Sequence, residues 1–161
     1  MIIRDYVEAD SLAVRKLLQA AFPTDVEADL VERLRADGDA AVELVAVGDD
    51  SILGHILFSP VAASFQALAL APVAVIPDRQ REGIGSALID EGHTRARNHG
   101  YEAIFVLGEP GYYRRFGYDV VLAERFRNPY SGPYFMALQL GGALPASGGA
   151  VRHARAFADL G

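Results

Sequence analysis

The chain contains no cysteine, which removes disulfides, thiolate zinc sites and a cysteine nucleophile, and with them any acyl-cysteine intermediate. It also lacks any run near the roughly 20 consecutive apolar residues that a membrane-spanning helix needs. The first residues, MIIRDYVEAD, show no basic start followed by a long apolar stretch, so a cytoplasmic protein without a secretory leader is expected. Positive charge is scarce: 15 lysines and arginines stand against 21 aspartates and glutamates, a net charge of -6. A nucleic-acid partner, which needs a basic face to neutralise phosphates, is therefore not expected, whereas a cationic substrate is compatible. The histidines, His55, His93, His99 and His153, show no ligand spacing with nearby carboxylates, and no metal is expected.

What is present is enough apolar material for a core. Of 161 residues, 51% are hydrophobic and 22% charged, the balance of one ordinary globular domain spanning residues 1–161. A first strand is expected over residues 2–6. Ala9, Asp10 and Ser11 supply helix-start chemistry, and Val14, Leu17, Leu18 and Ala21 follow at helical spacing. Pro23 breaks that helix and Thr24 is the expected cap of a second, whose Val26, Leu30 and Leu34 form one apolar stripe and whose end is set by Gly38. Residues 41–47 and 52–59 read as a hairpin turning at Gly48, Asp49 and Asp50. Residues 64–76 read as a third long strand, where Pro72 marks an edge or a bulge. A long helix over about 81–99, stopped by Gly100, precedes a buried strand over 103–107, a short helix over 110–116, and strands over 118–122 and 134–140. Residues 141–150 read as a connector rich in small residues. Helices and strands thus mix around a central sheet, an α/β (α+β) order that by itself names no function.

The most informative segment runs from Val73 to Leu88. There a strand feeds a tight loop that opens directly into a helix. The first amides of a helix lack internal partners and its dipole adds partial positive charge, so this geometry binds anions. Gly83 and Gly85 clear side chains from the approach, and Arg79 and Arg81 add charge beside it. Each glycine costs about 1 kcal/mol inside a helix relative to alanine, so their presence calls for a reason. The loop lacks the Gly-Lys-Ser/Thr of a Walker site. It also fails the dinucleotide fingerprint, because Leu88 stands where the third glycine belongs and Glu102 precedes the next strand instead of ending it.

Gln80, Arg81, Glu82, Gly83, Ile84 and Gly85, followed by Ser86, resemble the Gln/Arg-x-x-Gly-x-Gly/Ala acetyl-CoA signature of the GNAT N-acetyltransferases. Downstream, Gly108 to Tyr118 resembles the second motif of that superfamily, with Tyr113 four residues before Gly117 and Tyr118. Residues 54–60 and 106–110 are similar to a predicted-acetyltransferase branch. The resemblance covers residues 2 to about 140. It implies a mixed, mostly antiparallel sheet split between its fourth and fifth strands, with helices on both faces. It also implies acetyl-CoA as cosubstrate, an amine as acceptor, direct transfer in a ternary complex, and a homodimer as one assembly. Pantetheine would lie against Val73, Ala74 and Val75, and the pyrophosphate against Gln80, Arg81, Glu82, Gly83, Ile84, Gly85 and Ser86. Tyr113 and Phe116 would complete the cofactor contacts, with Arg114 and Arg115 either reaching the phosphates or covering a helix surface. Relatives often carry an asparagine after the fifth strand, where this chain has Gly108, Glu109 and Pro110.

Acyl transfer needs a neutral amine, donors for the developing oxyanion and a proton for the departing thiolate. The backbone amide near Val75, at the expected bulge, is the oxyanion donor proposed from the sequence. The resemblance gives the acid role to Tyr113, whose neighbour Tyr112 competes for it. For the base, Glu27 is the leading candidate, with Glu109 and His55 beside it. The acceptor loops are expected at residues 22–29 and 125–134. A silent acyl-CoA-binding sensor with the same fold is the alternative to an enzyme.

Overall fold

In the computed structural model, which describes residues 1–160 and the side chains of residues 1–158, the first strand, β1 (Ile2–Asp5), lies antiparallel to β2 (Val42–Gly48). β2 turns back into β3 (Ser51–Val61) through Asp49 and Asp50, at φ 53° and 60°. Two left-handed residues in a two-residue turn match the twist of the flanking strands, and aspartate tolerates that region better than most side chains. β4 (Ala67–Val75) runs antiparallel to β3, but Ile56 faces Val73 while Phe58 faces Leu70. Two steps on β3 thus oppose three on β4, which places a bulge at Ala71–Pro72, where Pro72 was expected to mark an edge or a bulge, three residues before the Val75 amide.

β5 (Ala103–Leu107) joins β4 in parallel over only three pairs, Ala67 with Ala103 to Ala69 with Phe105. Its other edge pairs along its whole length with β7 (Phe135–Gln139), antiparallel. The sheet order is β1-β2-β3-β4-β5-β7. Beyond Ala69 the fourth and fifth strands diverge, as the family resemblance implies.

Helices α1 (Ser11–Ala21) and α2 (Val26–Ala36) cover one face, burying Val14, Leu18, Val31 and Leu34 against Val45 and Leu57. Asp25, not Thr24, precedes α2. The Thr24 hydroxyl accepts only a long bond, 3.4 Å, from the Val26 N–H. Helix α3 (Ile84–Asn98) covers the other face with Leu88, Ile89 and Ala96 against Leu44, Ile56 and Phe58. It starts three residues later than its periodicity suggested, because Gly83 holds φ 87° in front of it.

The short α4 (Pro110–Tyr113) passes into a tight turn over Arg114–Phe116 that Gly117 ends at φ 96°. Residues 118–122 are not a strand. Asp119 accepts the Val121 N–H at 2.9 Å and starts α5 (Val120–Ala123), so a side-chain cap outweighs the β-propensity of two valines. β6 (Phe126–Arg127) pairs in parallel with β8 (Gly149–Ala150), inside the segments read as a loop and a connector. This C-terminal layer rests on an aromatic cluster in which Phe105 stacks on Phe135 and meets Phe126 edge-on, both at 5.4 Å. Among the described residues no helix is long and apolar enough to cross a membrane.

The contact that sets α3 against the sheet is Gly92 over the ring of Phe58, since a Cβ at Gly92 would collide with that fully buried ring. Gly92→Ala therefore destabilises the fold by about 1–3 kcal/mol despite the better helix propensity of alanine. Urea unfolding checks this, and an unchanged or raised midpoint would show that the helix can shift.

Candidate active site

The divergence of β4 from β5 opens a cleft of about 780 Å³ lined by Val73, Ala74, Val75, Gln80, Arg81, Gly83, Gly85 and Ser86 on one side and Tyr112, Tyr113 and Arg115 on the other. The backbone of β4 is poised for it. The Ile76 N–H bonds to the Leu53 carbonyl of β3, so by strand alternation Val73 and Val75 turn their amides and carbonyls toward the split. Gln80 confirms the direction, since its side-chain amide donates to the Val75 carbonyl at 3.2 Å.

The loop into α3 winds through a short turn over Pro77–Arg79, then Arg81 at φ 68° and Gly83 at φ 87°. The Ala87 N–H is bonded to the Gly83 carbonyl at 3.0 Å, which leaves the amides of Ile84, Gly85 and Ser86 ahead of the helical ladder. No acidic residue stands in the first turn to cancel the positive end of the dipole. A Cβ on Gly85 would sit 3.2 Å from the Tyr112 hydroxyl and 3.7 Å from Val75 Cγ2, inside the cleft. The residues present fit a pyrophosphate.

Four expected contributions differ. Arg79 is not in the cleft; its guanidinium pairs with Asp49 at 3.0 Å and Glu82 at 2.9 Å. Glu82 is thereby turned outward, leaving only its backbone for a ligand. The Ile84 side chain is buried in the core, so it too offers only an amide. Phe116 packs against the core, with the Arg115 guanidinium 5.2 Å above its ring. Tyr112 and Arg115 line the cleft instead. Tyr112 sits one residue before the motif tyrosine and was legible only as its competitor.

Tyr113 stands where this cleft meets a second cavity of about 360 Å³, and lines both. Its ring lies against Gly108, where a Cβ would collide with it, and meets Tyr112 and Tyr118 edge-on at 5.0 and 5.8 Å. Glycine at 108 thus makes room for the tyrosine. Burial, helped by the neighbouring Tyr112, pushes the Tyr113 phenol up to about 12. Glu27 lines the second cavity, and its Oε1 is buried without a hydrogen-bond partner.

The other two base candidates lie elsewhere. His55 is fully buried with Nε2 2.7 Å from the Glu43 carboxylate, which Arg35 also contacts at 2.7 Å. Glu109 is exposed at the start of α4, and neither residue lines the two cavities. The second cavity also takes His153 and Phe157 from the C-terminal segment, which no local signal in the sequence marks as part of a site.

The profile of the Acetyltransferase (GNAT) family matches residues 11–118 of the chain. The N-acetyltransferase YhbS of Escherichia coli K12 is 34% identical over 136 residues, covering 82% of this chain and 81% of that protein. The structure of the E. coli GNAT family N-acetyltransferase YhbS in complex with CoA has a TM-score of 0.92 at 32% identity, covering 99% of this chain and 93% of that one. A GNAT family acetyltransferase from Brucella melitensis in complex with acetyl-CoA gives 0.83 at 36% identity, with 97% of each chain covered.

Two histidines near these cavities titrate low. Burial brings His153 to about 4, and burial, with Arg97 adding to it, brings His93 to about 4 while it bonds the Tyr118 hydroxyl at 2.9 Å. Their folded values lie below the unfolded value near 6.5, so the stability they carry is present above that pH and is lost as pH falls toward about 4. Urea midpoints should drop between pH 7.5 and 5, by about 1–2 kcal/mol for each histidine. His93→Gln should flatten part of that slope, and an unchanged slope would show that His93 binds its proton as readily in the folded state as in the unfolded one.

Proposed function

Because this chain belongs to the acetyltransferase (GNAT) family, we propose that it transfers an acetyl group from acetyl-CoA directly to an amine, with Tyr113 and Glu27 as its proton-handling groups. The observation that supports this most is the joint placement of an acid-free helix N-terminus and two outward-facing β4 amides in one cleft, ending at Tyr113. Acetyl-CoA, when bound, supplies the thioester whose acetyl group is transferred. The backbone of Gln80 to Ser86 holds the pyrophosphate, with Arg81 and Arg115 at its margins. The amides of Val73 and Val75 orient the pantetheine arm, and one of them donates to the developing oxyanion, where a fixed donor is worth about 3–4 kcal/mol.

An ammonium acceptor gives up two protons. Glu27, at the acceptor side, takes the first and passes it to solvent. The second ends on the leaving sulfur by way of Tyr113. With its phenol near 12 and a thiol near about 8.5, free transfer from Tyr113 to a finished thiolate runs uphill. Tyr113 therefore acts in concert, donating as the carbon–sulfur bond breaks and regaining a proton from the amine side. The cytoplasmic setting and the homodimer that the resemblance implies belong to the same proposal.

Two variants separate binding from chemistry. Gly85→Glu fills the cradle, so calorimetric titration should show acetyl-CoA binding to the parent and none to the variant. A folded parent that binds no acetyl-CoA would end the proposal. Tyr113→Phe should keep acetyl-CoA affinity and lower kcat by about 10²–10⁴. A kcat within a few-fold of the parent would reassign the acid.

A further inference from the structure

Part of the second cavity's wall, Tyr130, His153 and Phe157, comes from outside the family-matched region. β6 and β8 pair, the Ala62 and Arg152 backbones exchange bonds at 2.8 and 2.9 Å, and the Val151 N–H donates to the Arg127 carbonyl at 3.0 Å. These bonds lay residues 149–157 beside the open end of β4 and β5. His153 and Phe157 thereby join the wall of the cavity, which Glu27 and Leu30 of α2 also line.

The protonation of that wall can be read from its partners. The Asn128 side-chain oxygen accepts the Tyr130 N–H at 2.8 Å, and its nitrogen donates to the Val151 carbonyl at 2.9 Å. The same nitrogen lies 3.1 Å from Nδ1 of His153. A donor faces that ring atom, so Nδ1 is bare and the proton sits on Nε2. The imidazole is also packed edge-on against Tyr130 at 5.0 Å and Phe157 at 5.1 Å. It is neutral, in keeping with its depressed pKa of about 4.

Among the described residues, the charges lining the cavity then reduce to one. No described lysine or arginine lines it, Tyr113 and Tyr130 are phenols, and the rest is apolar. Among these residues the carboxylate of Glu27 is the one charged group, with one oxygen buried and unpartnered. A carboxylate with one shielded, unpaired oxygen is stabilised when a cation meets it. Phe105, Leu70, Pro72 and Phe157 offer nothing to a second charge or to a polyhydroxylated ring system.

We propose that this cavity is the acceptor site and that it selects small monoamines on an apolar body, of the arylalkyl or branched-alkyl class, in preference to polyamines and amino sugars. The inference rests on the acetyl-transfer reading and adds the substrate class to it. Glu27 meets the single ammonium and takes its first proton. The freed nitrogen bonds to the acetyl carbon as the carbon–sulfur bond breaks, and the sulfur leaves as the thiol. The products are the N-acetyl amine, free CoA and one proton released to solvent.

The test measures kcat/KM for phenethylamine and isoamylamine against 1,4-diaminobutane, spermidine and kanamycin, with acetyl-CoA titration of every variant as the control. The monoamines should lead by about 10-fold or more, the discrimination that one mismatched group commonly gives. Glu27→Gln should lower kcat/KM for the monoamines and leave acetyl-CoA affinity unchanged. Leu107 lines the cavity mouth and is half exposed, so Leu107→Glu adds a second carboxylate without burdening the core. It should move the preference toward 1,4-diaminobutane by about 10-fold. Equal or better use of the polyamines or kanamycin, or no turnover of any monoamine by protein that binds acetyl-CoA, overturns the substrate class and leaves the acetyltransferase reading standing. Failure to bind acetyl-CoA overturns both.

Discussion

β4 and β5 share hydrogen bonds only from Ala67–Ala69 to Ala103–Phe105, and past that point each strand carries an unpaired edge into the molecule. Buried backbone groups without partners are expensive, so such an edge persists only where something else can satisfy it. Gln80 satisfies one carbonyl on β4. The cleft leaves the remaining groups open to water or to an extended ligand arm that can pair as a strand would. The bulge at Ala71–Pro72 and the packing of Tyr113 against Gly108 sit on either side of this divergence. The position of Tyr113 at the crotch of the split and the position of the amides along it are therefore one geometric fact.

The two leaves are held at fixed spacing by different means. The larger leaf is gripped by α3 through Phe58 and Gly92, and by α1 and α2 from the other face. The smaller leaf is set by the aromatic stack of Phe105 and Phe135 with Phe126. Tyr118, which follows α4 and its turn, ties the end of that segment to His93 on α3. The two cavities consequently meet with walls of opposite character, a backbone-rich one beside the glycine loop and an apolar one beneath α2.

What was legible in the sequence was what is local. The strand over Ala103–Leu107, the long helix and the glycine loop before it each carry their signal within a dozen residues. Tyr113 was found by its spacing to Gly117, again a local relation. The failures are long-range. Arg79 is claimed by Asp49, thirty positions away on the tip of a hairpin, and nothing beside Arg79 announces it. Phe116 and Ile84 belong to the right segments, but which face of a turn meets the core is a tertiary matter. The α5 turn went against the propensity of Val120 and Val121 because one aspartate caps it. His153 entered the wall of the second cavity through a two-residue strand pairing, too short to leave any periodicity.

Arg79 braces the phosphate loop to the β2–β3 hairpin through its ion pair with Asp49, and pairs within the loop with Glu82. Such pairs are worth about 0–1 kcal/mol each and fade as the screening length shrinks to about 8 Å at physiological ionic strength and below that in stronger salt. The left-handed Arg81 beyond it is held against its own preference, and the brace steadies the loop there. Under the proposed function, dissolved salt therefore acts on the loop twice, loosening the brace and screening the cosubstrate's phosphates, while the apolar wall of the second cavity is untouched or favoured by it. On that proposal, ionic strength separates the affinities for donor and acceptor.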